Sequence, residues 1–316
     1  MNRYNIGMFT FLLLSCQQLP EPAYLAIPES SSVQTVSLLG DSLRAAVLGD
    51  SIKTVFTKNL DEAERDYNAD DTSIENIIWY GRRLAYLGEY QQAVEVFSKG
   101  IELHPVEPQL LRHRAHRYIT LRAFDHAIQD FEEAGELIKG TEDIVEPDGL
   151  PNALNMPRSS LHTNIWYHLG LAYYLESDFE NAQKAYEKCI MASTNDDMLV
   201  AAVYWYYMSL KRSGKDELAG QIIEPIHSDM DIIENDSYLK LLLVFKSEFE
   251  PDLLLDGSSD ALSNATIGYG IGNWHYMNGR SARAYEIWNQ VVKGNSWASF
   301  GFIASEVELS NDSIKN

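Results

Sequence analysis

Arg82, Arg112 and His116 carry the most specific chemistry in this 316-residue chain. A guanidinium can grip a carboxylate through two parallel hydrogen bonds, and two of them beside an imidazole would hold an acidic group of a ligand. A cationic run of this kind is not expected from composition, because Asp plus Glu number 46 against 25 for Lys plus Arg, a formal charge of −21. Further along, Tyr86, Tyr167, Tyr174, Tyr204, Tyr269 and Tyr276, together with Arg212, offer stacking area with hydrogen-bonding tips. The acidic balance argues against a nucleic-acid partner, since phosphate binding rests on Lys and Arg releasing counterions. It equally disfavours electrostatic attachment to anionic lipid heads.

Other candidates for chemistry are weaker. Gly268, Gly270 and Gly272 spell part of a phosphate loop, but no strand precedes them, and close packing in a helix explains them better. Asp229, Asp231, Glu234 and Asp236 have the charge of a calcium loop, yet Ile233 stands where a ligand should be and the turn glycine is missing. The eight histidines include no pair spaced for zinc beside a Glu. No catalytic constellation emerges, so the expectation is a non-enzyme with no cofactor and no metal. Cys189 has no partner thiol in a mature chain and stands at a helix-packing position, which predicts a buried, inert side chain.

The elements that must position these residues are written as a repeat. Ala93 and Ala127 lie 34 residues apart, as do Tyr90 and Phe124, and Phe97 and Phe131. The first unit, about 74 to 107, carries Gly81 and Leu84 in its first helix, Gly88 at the turn and Gly100 in its second. Thr72 and Glu75 form a capping-box start, and Pro105 is a stop. The second runs from Pro108 to Thr141, with Arg114 where a leucine is usual. The third, Thr163 to Asp196, is the clearest, with Trp166, Gly170, Phe179, Ala182 and Tyr186. A fourth starts near Val200 and is degenerate, because Tyr207 replaces the small residue. A fifth follows from about Ala265, with Ala284 and Trp288.

This spacing resembles the tetratricopeptide repeat, over roughly residues 74–227 and 265–298. The resemblance implies an all-α solenoid of about five stacked helix pairs with a concave groove for a protein or peptide client. In that pattern the first helices place Arg82, Tyr86, Arg112, His116, Tyr167, Tyr174, Tyr204, Arg212, Tyr269 and Tyr276 on the groove. Its amino end would be basic and the remainder rich in tyrosine. The competing reading has the arginines solvated and the tyrosines packed between helices. The Lys and Asn set that clamps a terminal carboxylate in chaperone-binding relatives is not reproduced.

Around the repeats, Val33 to Phe56 has helical apolar spacing, so residues 33–72 are predicted to be a capping helix region. Pro147, Pro151, Pro157 and Gly149 make 142–162 an ordered loop between repeats 74–141 and 163–227. Residues 228–264 depart from the pattern as an atypical helical insertion. In 265–316 a capping helix over Trp297 to Leu309 closes the stack.

Residues 1–15 combine Arg3 with an apolar run too short to span a bilayer, the form of an export signal. Leu13-Leu14-Ser15-Cys16 resembles the lipobox of bacterial lipoproteins, which implies acylation of Cys16. Two or more acyl chains anchor durably. Residues 16–32, with Pro20, Pro22 and Pro28, read as a tether. The order of parts also resembles outer-membrane lipoproteins of the NlpI type. That implies an envelope scaffold, attached to the membrane by its lipid and serving an envelope protease or a peptidoglycan-remodelling enzyme. The alternative is a glycan- or nutrient-binding envelope lipoprotein.

Overall fold

The computed structural model describes residues 33–45, 48–152, 154–255 and 265–313. The export signal, Cys16 and the tether lie outside them. Among the described residues the protein is helical apart from one short hairpin. Its helices are α1 (Asp50–Ala69), α2 (Ile74–Tyr86), α3 (Tyr90–Leu103), α4 (Pro108–Thr120), α5 (Phe124–Leu137), α6 (Leu161–Leu175) and α7 (Phe179–Ala192). They continue with α8 (Asp196–Arg212), α9 (Asp216–Ile223), α10 (Asp236–Phe245), α11 (Pro251–Leu255), α12 (Ala265–Met277), α13 (Ser281–Val291) and α14 (Phe300–Ser313). None is long and apolar enough to cross a membrane.

Each repeat is an antiparallel pair, and α2 to α9 pack successively. The small residue near the start of every second helix explains the close approach. Ala93, Ala127, Ala182, Ala219 and Ala284 are all fully buried. Gly81 and Gly170 face Phe97 and Tyr186, and a Cβ on Gly170 would stand 2.7 Å from the Tyr186 ring. The turn between the paired helices needs a left-handed residue, supplied by Gly88, Gly214 and Gly279 in three repeats but by Arg122 (φ 65°) and Ser177 (φ 62°) in the other two. Gly270 and Gly272 of α12 are packing residues, as expected. A Cβ on Gly270 would meet Leu241 at 2.6 Å, and one on Gly272 would press on Trp288.

Several boundaries differ from the sequence expectation. Val33–Val36 (β1) and Ser42–Arg44 (β2) pair as an antiparallel hairpin, so the amino-terminal helix begins only at Asp50. β-branched Val and Thr with a Gly40 turn at φ 94° favour strands, a signal hidden by the helical spacing of the leucines. The hairpin holds the rest of the chain through side chains: Thr35 donates to the Leu121 carbonyl at 3.0 Å and Gln91 to the Gln34 carbonyl at 2.7 Å. The cap of α2 is Ser73, whose oxygen accepts from Asn76 N, while Thr72 bonds Asp70 instead. The fourth repeat starts at Asp196 rather than Val200. Its Tyr207 is large because α10 packs on α8, placing Phe245 on the Tyr207 ring at 4.8 Å.

The closing helix does not merely cover the last repeat. α14 packs on α12, α13 and also α6, along the inner face formed by first helices. Arg122 at the α4–α5 turn pairs with Glu306, and Arg212 at the end of α8 pairs with Glu308.

Candidate functional site

The inner face holds two regions. In the carboxyl-terminal one the tyrosines expected to line a groove are core. Tyr167, Tyr174, Tyr204 and Tyr269 are all buried, the hydroxyl of Tyr167 bonded to Tyr238 and that of Tyr204 left without a hydrogen-bond partner among the described residues. Tyr174 and Tyr269 share a hydrogen bond of 2.7 Å, and Trp205 Nε1 donates to Tyr167 at 2.9 Å. Burial pushes the Tyr174 hydroxyl up to about 12. Arg212 is not free to hold a ligand, since Glu308 engages it and Tyr276 lies beneath its guanidinium. Sequence spacing could not show that α14 would fill the inner face.

The amino-terminal region keeps a cavity of about 270 Å³, lined from α2, α4, α6 and the loop 143–160. Arg82, Tyr86, Arg112 and His116 do converge there, but the loop has entered with them. Arg112 grips Glu146 bidentately, at 3.1 and 2.5 Å, and Asn164 donates to the same carboxylate at 2.6 Å. Arg112 and Glu146 are both buried, so this pair belongs to the fold and corrects the expectation that Arg112 awaits an external acid. Arg82 donates to the Pro147 carbonyl at 3.0 Å and Arg83 to that of Gly149 at 3.1 Å, strapping the loop across the mouth. The base of the loop is fixed by Glu146 N to Ser159 O and Leu161 N to Ile144 O.

Four further residues complete the pocket. Arg117 lines it with no hydrogen bond or ion pair among the described residues, held only by its guanidinium lying 5.6 Å from the Tyr90 ring centre. Desolvation lowers it to about 10, which leaves it a cation at neutral pH. His113 stacks on Phe97, and His116 on His168 at 4.4 Å. Burial, then the neighbouring arginines, hold His113 and His116 well below the usual imidazole range. His168 falls to about 3 from burial. All three are neutral at pH 7. Asp148 has a buried oxygen, Oδ2, with no hydrogen-bond partner, and desolvation raises its carboxyl in spite of Arg82. Sequence reasoning missed Arg117, His113 and His168 because the repeat pattern assigns the groove to other positions of the first helix, and Asp148 because it comes from the loop. The dense Arg112-His113-Arg114-Ala115-His116-Arg117 run was the available signal. Within it Arg114 points elsewhere, binding Asp130 of the paired helix twice at 2.8 Å in place of the usual leucine.

The acidic segment at 229–236 is organised by a residue outside it. Asp197, fully buried, accepts from the backbone N–H groups of Ile233, Glu234 and Asn235 and from Arg158 Nε. No cluster of His, Cys, Asp and Glu able to hold a metal occurs among the described residues. Cys189 is buried, which pushes its thiol up to about 12.

Paired helices, the buried alanine of every repeat and a continuous inner face define an all-α tetratricopeptide-repeat solenoid. Residues 163–196, the span of the third repeat, match the family described as tetratricopeptide repeat. Among curated proteins, the heat-shock protein cognate co-chaperone sgt12 of Aspergillus fumigatus is 27% identical over 107 residues, 34% of this chain and 25% of that one. The chain thus spans about a quarter of the length of the curated relative it matches. Among solved structures, YrrB, a TPR protein with an unusual peptide-binding site, is 13% identical with a TM-score of 0.42, covering 81% of this chain and 100% of that one. A tetratricopeptide repeat protein from Parabacteroides merdae is 14% identical with a TM-score of 0.48, covering 82% and 93%.

Proposed function

We propose that this protein is an interaction scaffold held on a bacterial envelope membrane, the outer membrane by its lipobox context, through acylated Cys16, and that it grips a protein client with the face around the 143–160 loop. One observation carries the client-binding part. Ile144 (46% exposed), Val145 (68%), Leu150 (56%), Leu154 (61%) and Met156 (47%) present their side chains to solvent from a loop that is otherwise firmly hydrogen-bonded. Exposed apolar groups concentrated on an ordered loop mark an interaction surface. Beside them Arg82 and Arg83 lie over the Trp79 ring at 4.6 and 4.7 Å, a cationic aromatic rim suited to acidic groups of the client. The tyrosine groove no longer supports the peptide reading, since those rings are core. By the resemblance in order of parts, the client is an envelope protease or a peptidoglycan-remodelling enzyme.

Photo-crosslinking groups at Leu150 and Leu154 in intact cells should capture the client. The Leu150→Ser, Leu154→Ser, Met156→Ser variant should melt like wild type yet lose it. Capture unchanged by the triple substitution would remove the loop from the reading. Partners confined to cytoplasmic complexes would overturn the location. Cys16→Ala should release the protein from membranes and abolish labelling by a fatty-acid analogue, and labelling that persists would overturn the anchor.

A further inference from the structure

We propose that the cavity between α2, α4, α6 and the loop is a binding site for a small zwitterion of the α-amino acid class, its carboxylate held by Arg117 and its ammonium by Asp148. The scaffold reading is not needed for this inference. Arg117 and Asp148, opposite in charge and each without a hydrogen bond or ion pair among the described residues, line one cavity. Arg117 is a guanidinium with five N–H donors and no acceptor among the described residues. Asp148 has a buried oxygen with no donor. Both residues are half-buried, and charges partly withdrawn from water without a partner cost free energy, so two of opposite sign lining one cavity point to a ligand that completes both.

The neighbours narrow the chemistry. Arg112 is already neutralised by Glu146, and Arg82 is turned to Tyr86 and the Pro147 carbonyl. A phosphate dianion would therefore meet one free guanidinium and two carboxylates in the same pocket, which disfavours it. A simple carboxylate would leave Asp148 orphaned, and a simple amine would leave Arg117. The imidazoles agree with a ligand that also donates. His168 Nδ1 lies 2.6 Å from the Asn164 carbonyl, which requires the proton on Nδ1 and leaves Nε2 an acceptor. The cavity, about 270 Å³, is just below the roughly 300 Å³ at which drug-sized pockets begin. A free amino acid suits that volume, and the loop crossing the mouth screens it from solvent.

The test is calorimetric titration of the full chain with each standard L-amino acid, then with the deaminated and decarboxylated analogues of any that binds. At least one amino acid should bind and raise Tm, with both analogues weaker by roughly tenfold or more. Arg117→Gln should weaken the amino acid by a similar factor. Asp148→Asn should instead bring the amino acid level with its deaminated analogue, a change of selectivity that a merely structural role would not produce. Without ligand, Arg117→Met should raise Tm, because it removes a desolvated charge. Binding by no member of the panel at millimolar concentration, equal binding of acid and amino acid to wild type, or a lower Tm for ligand-free Arg117→Met would each overturn the proposal.

Discussion

The two halves of the inner face are closed by different devices, and the difference separates what a repeat stack needs from what this chain has added. The carboxyl-terminal half is filled by a helix. α14 lays Phe300, Glu306 and Glu308 against α4, α6, α8 and α12, so Tyr174 ends in Tyr269 and Tyr269 in turn in Glu308. The amino-terminal half is crossed by a loop, which delivers two carboxylates, Glu146 and Asp148, and leaves a polar cavity behind it. A helix can supply a continuous apolar stripe and exclude water. A proline-rich loop spans the same distance with few side chains turned inward, so space and unpaired charge persist.

The contrast is broken most severely by attacking the helix. A Cβ on Gly301 would strike the Ala265 carbonyl oxygen, a backbone atom that no rotamer change can move. Gly301→Ala should therefore lift α14 from the inner face and cost more than the roughly 1–3 kcal/mol of ordinary overpacking. Gly170→Leu, which meets only the Tyr186 ring, should fall within that range or somewhat above it. Thermal melts decide the order, and a Gly301→Ala protein melting like wild type would show that α14 does not seal the half.

The clasps come next. Arg122 occupies a left-handed turn position where three other repeats use glycine, at a strain of roughly 1–2 kcal/mol. Its guanidinium accounts for the choice, reaching Glu306 at 2.9 Å and the Trp297 carbonyl at 2.8 Å. Arg122→Ala should cost about 3–5 kcal/mol by leaving Glu306 buried without its cation, and Arg122→Gly should cost less because the turn relaxes. Arg112→Ala, which strands Glu146, belongs to the same range, but its signature differs. Protease should cut within 143–160, whereas Arg122→Ala should expose the carboxyl terminus. Identical cleavage patterns would erase the distinction between the halves.

How much of this was legible in the sequence depends on whether the signal was local. The alanine and aromatic spacing fixed the helix pairs, because each repeat packs on its neighbours and local periodicity suffices. The third repeat, 163–196, was read to the residue that the family match gives. Arg82, Arg112 and His116 line one cavity, on adjacent first helices. What escaped was long-range. Nothing near Arg112 announces Glu146, nothing near Tyr269 announces Glu308, and a tyrosine on an inner face looks the same whether solvent or another helix lies opposite. The hairpin at 33–44 escaped for another reason: its pairing depends on a turn glycine, while the surrounding leucines mimic a helix.

A pH titration sharpens the comparison at lower amplitude. His113, His116 and His168 are held neutral, so the unfolded chain binds protons that the folded one refuses. Their contribution is complete above the unfolded value, near 6.5, and is lost as pH falls below it, down to about 3 for His168. Each should remove about 1.4 kcal/mol per pH unit once fully titrating, so Tm should drop clearly between pH 7.5 and 5.5. The loss should be local to the amino-terminal half, where all three reside. Hydrogen exchange that loosens α12 to α14 first would contradict that assignment.

The smallest effect is expected at the free end. α1 buries only Ala63 and leans on α2 through Tyr67, stacked on Tyr80 at 4.9 Å. Its Lys58–Glu62 pair, 3.8 Å apart, has side chains 75% and 50% exposed, and water and salt screen such a pair almost completely. Lys58→Ala should therefore change stability by less than about 0.5 kcal/mol, against several for either clasp. A loss beyond about 1 kcal/mol, read from denaturant midpoints at unchanged slope, would mean that α1 is engaged more tightly than its exposure implies. The amino-terminal half would then be closed at its end as well as across its mouth.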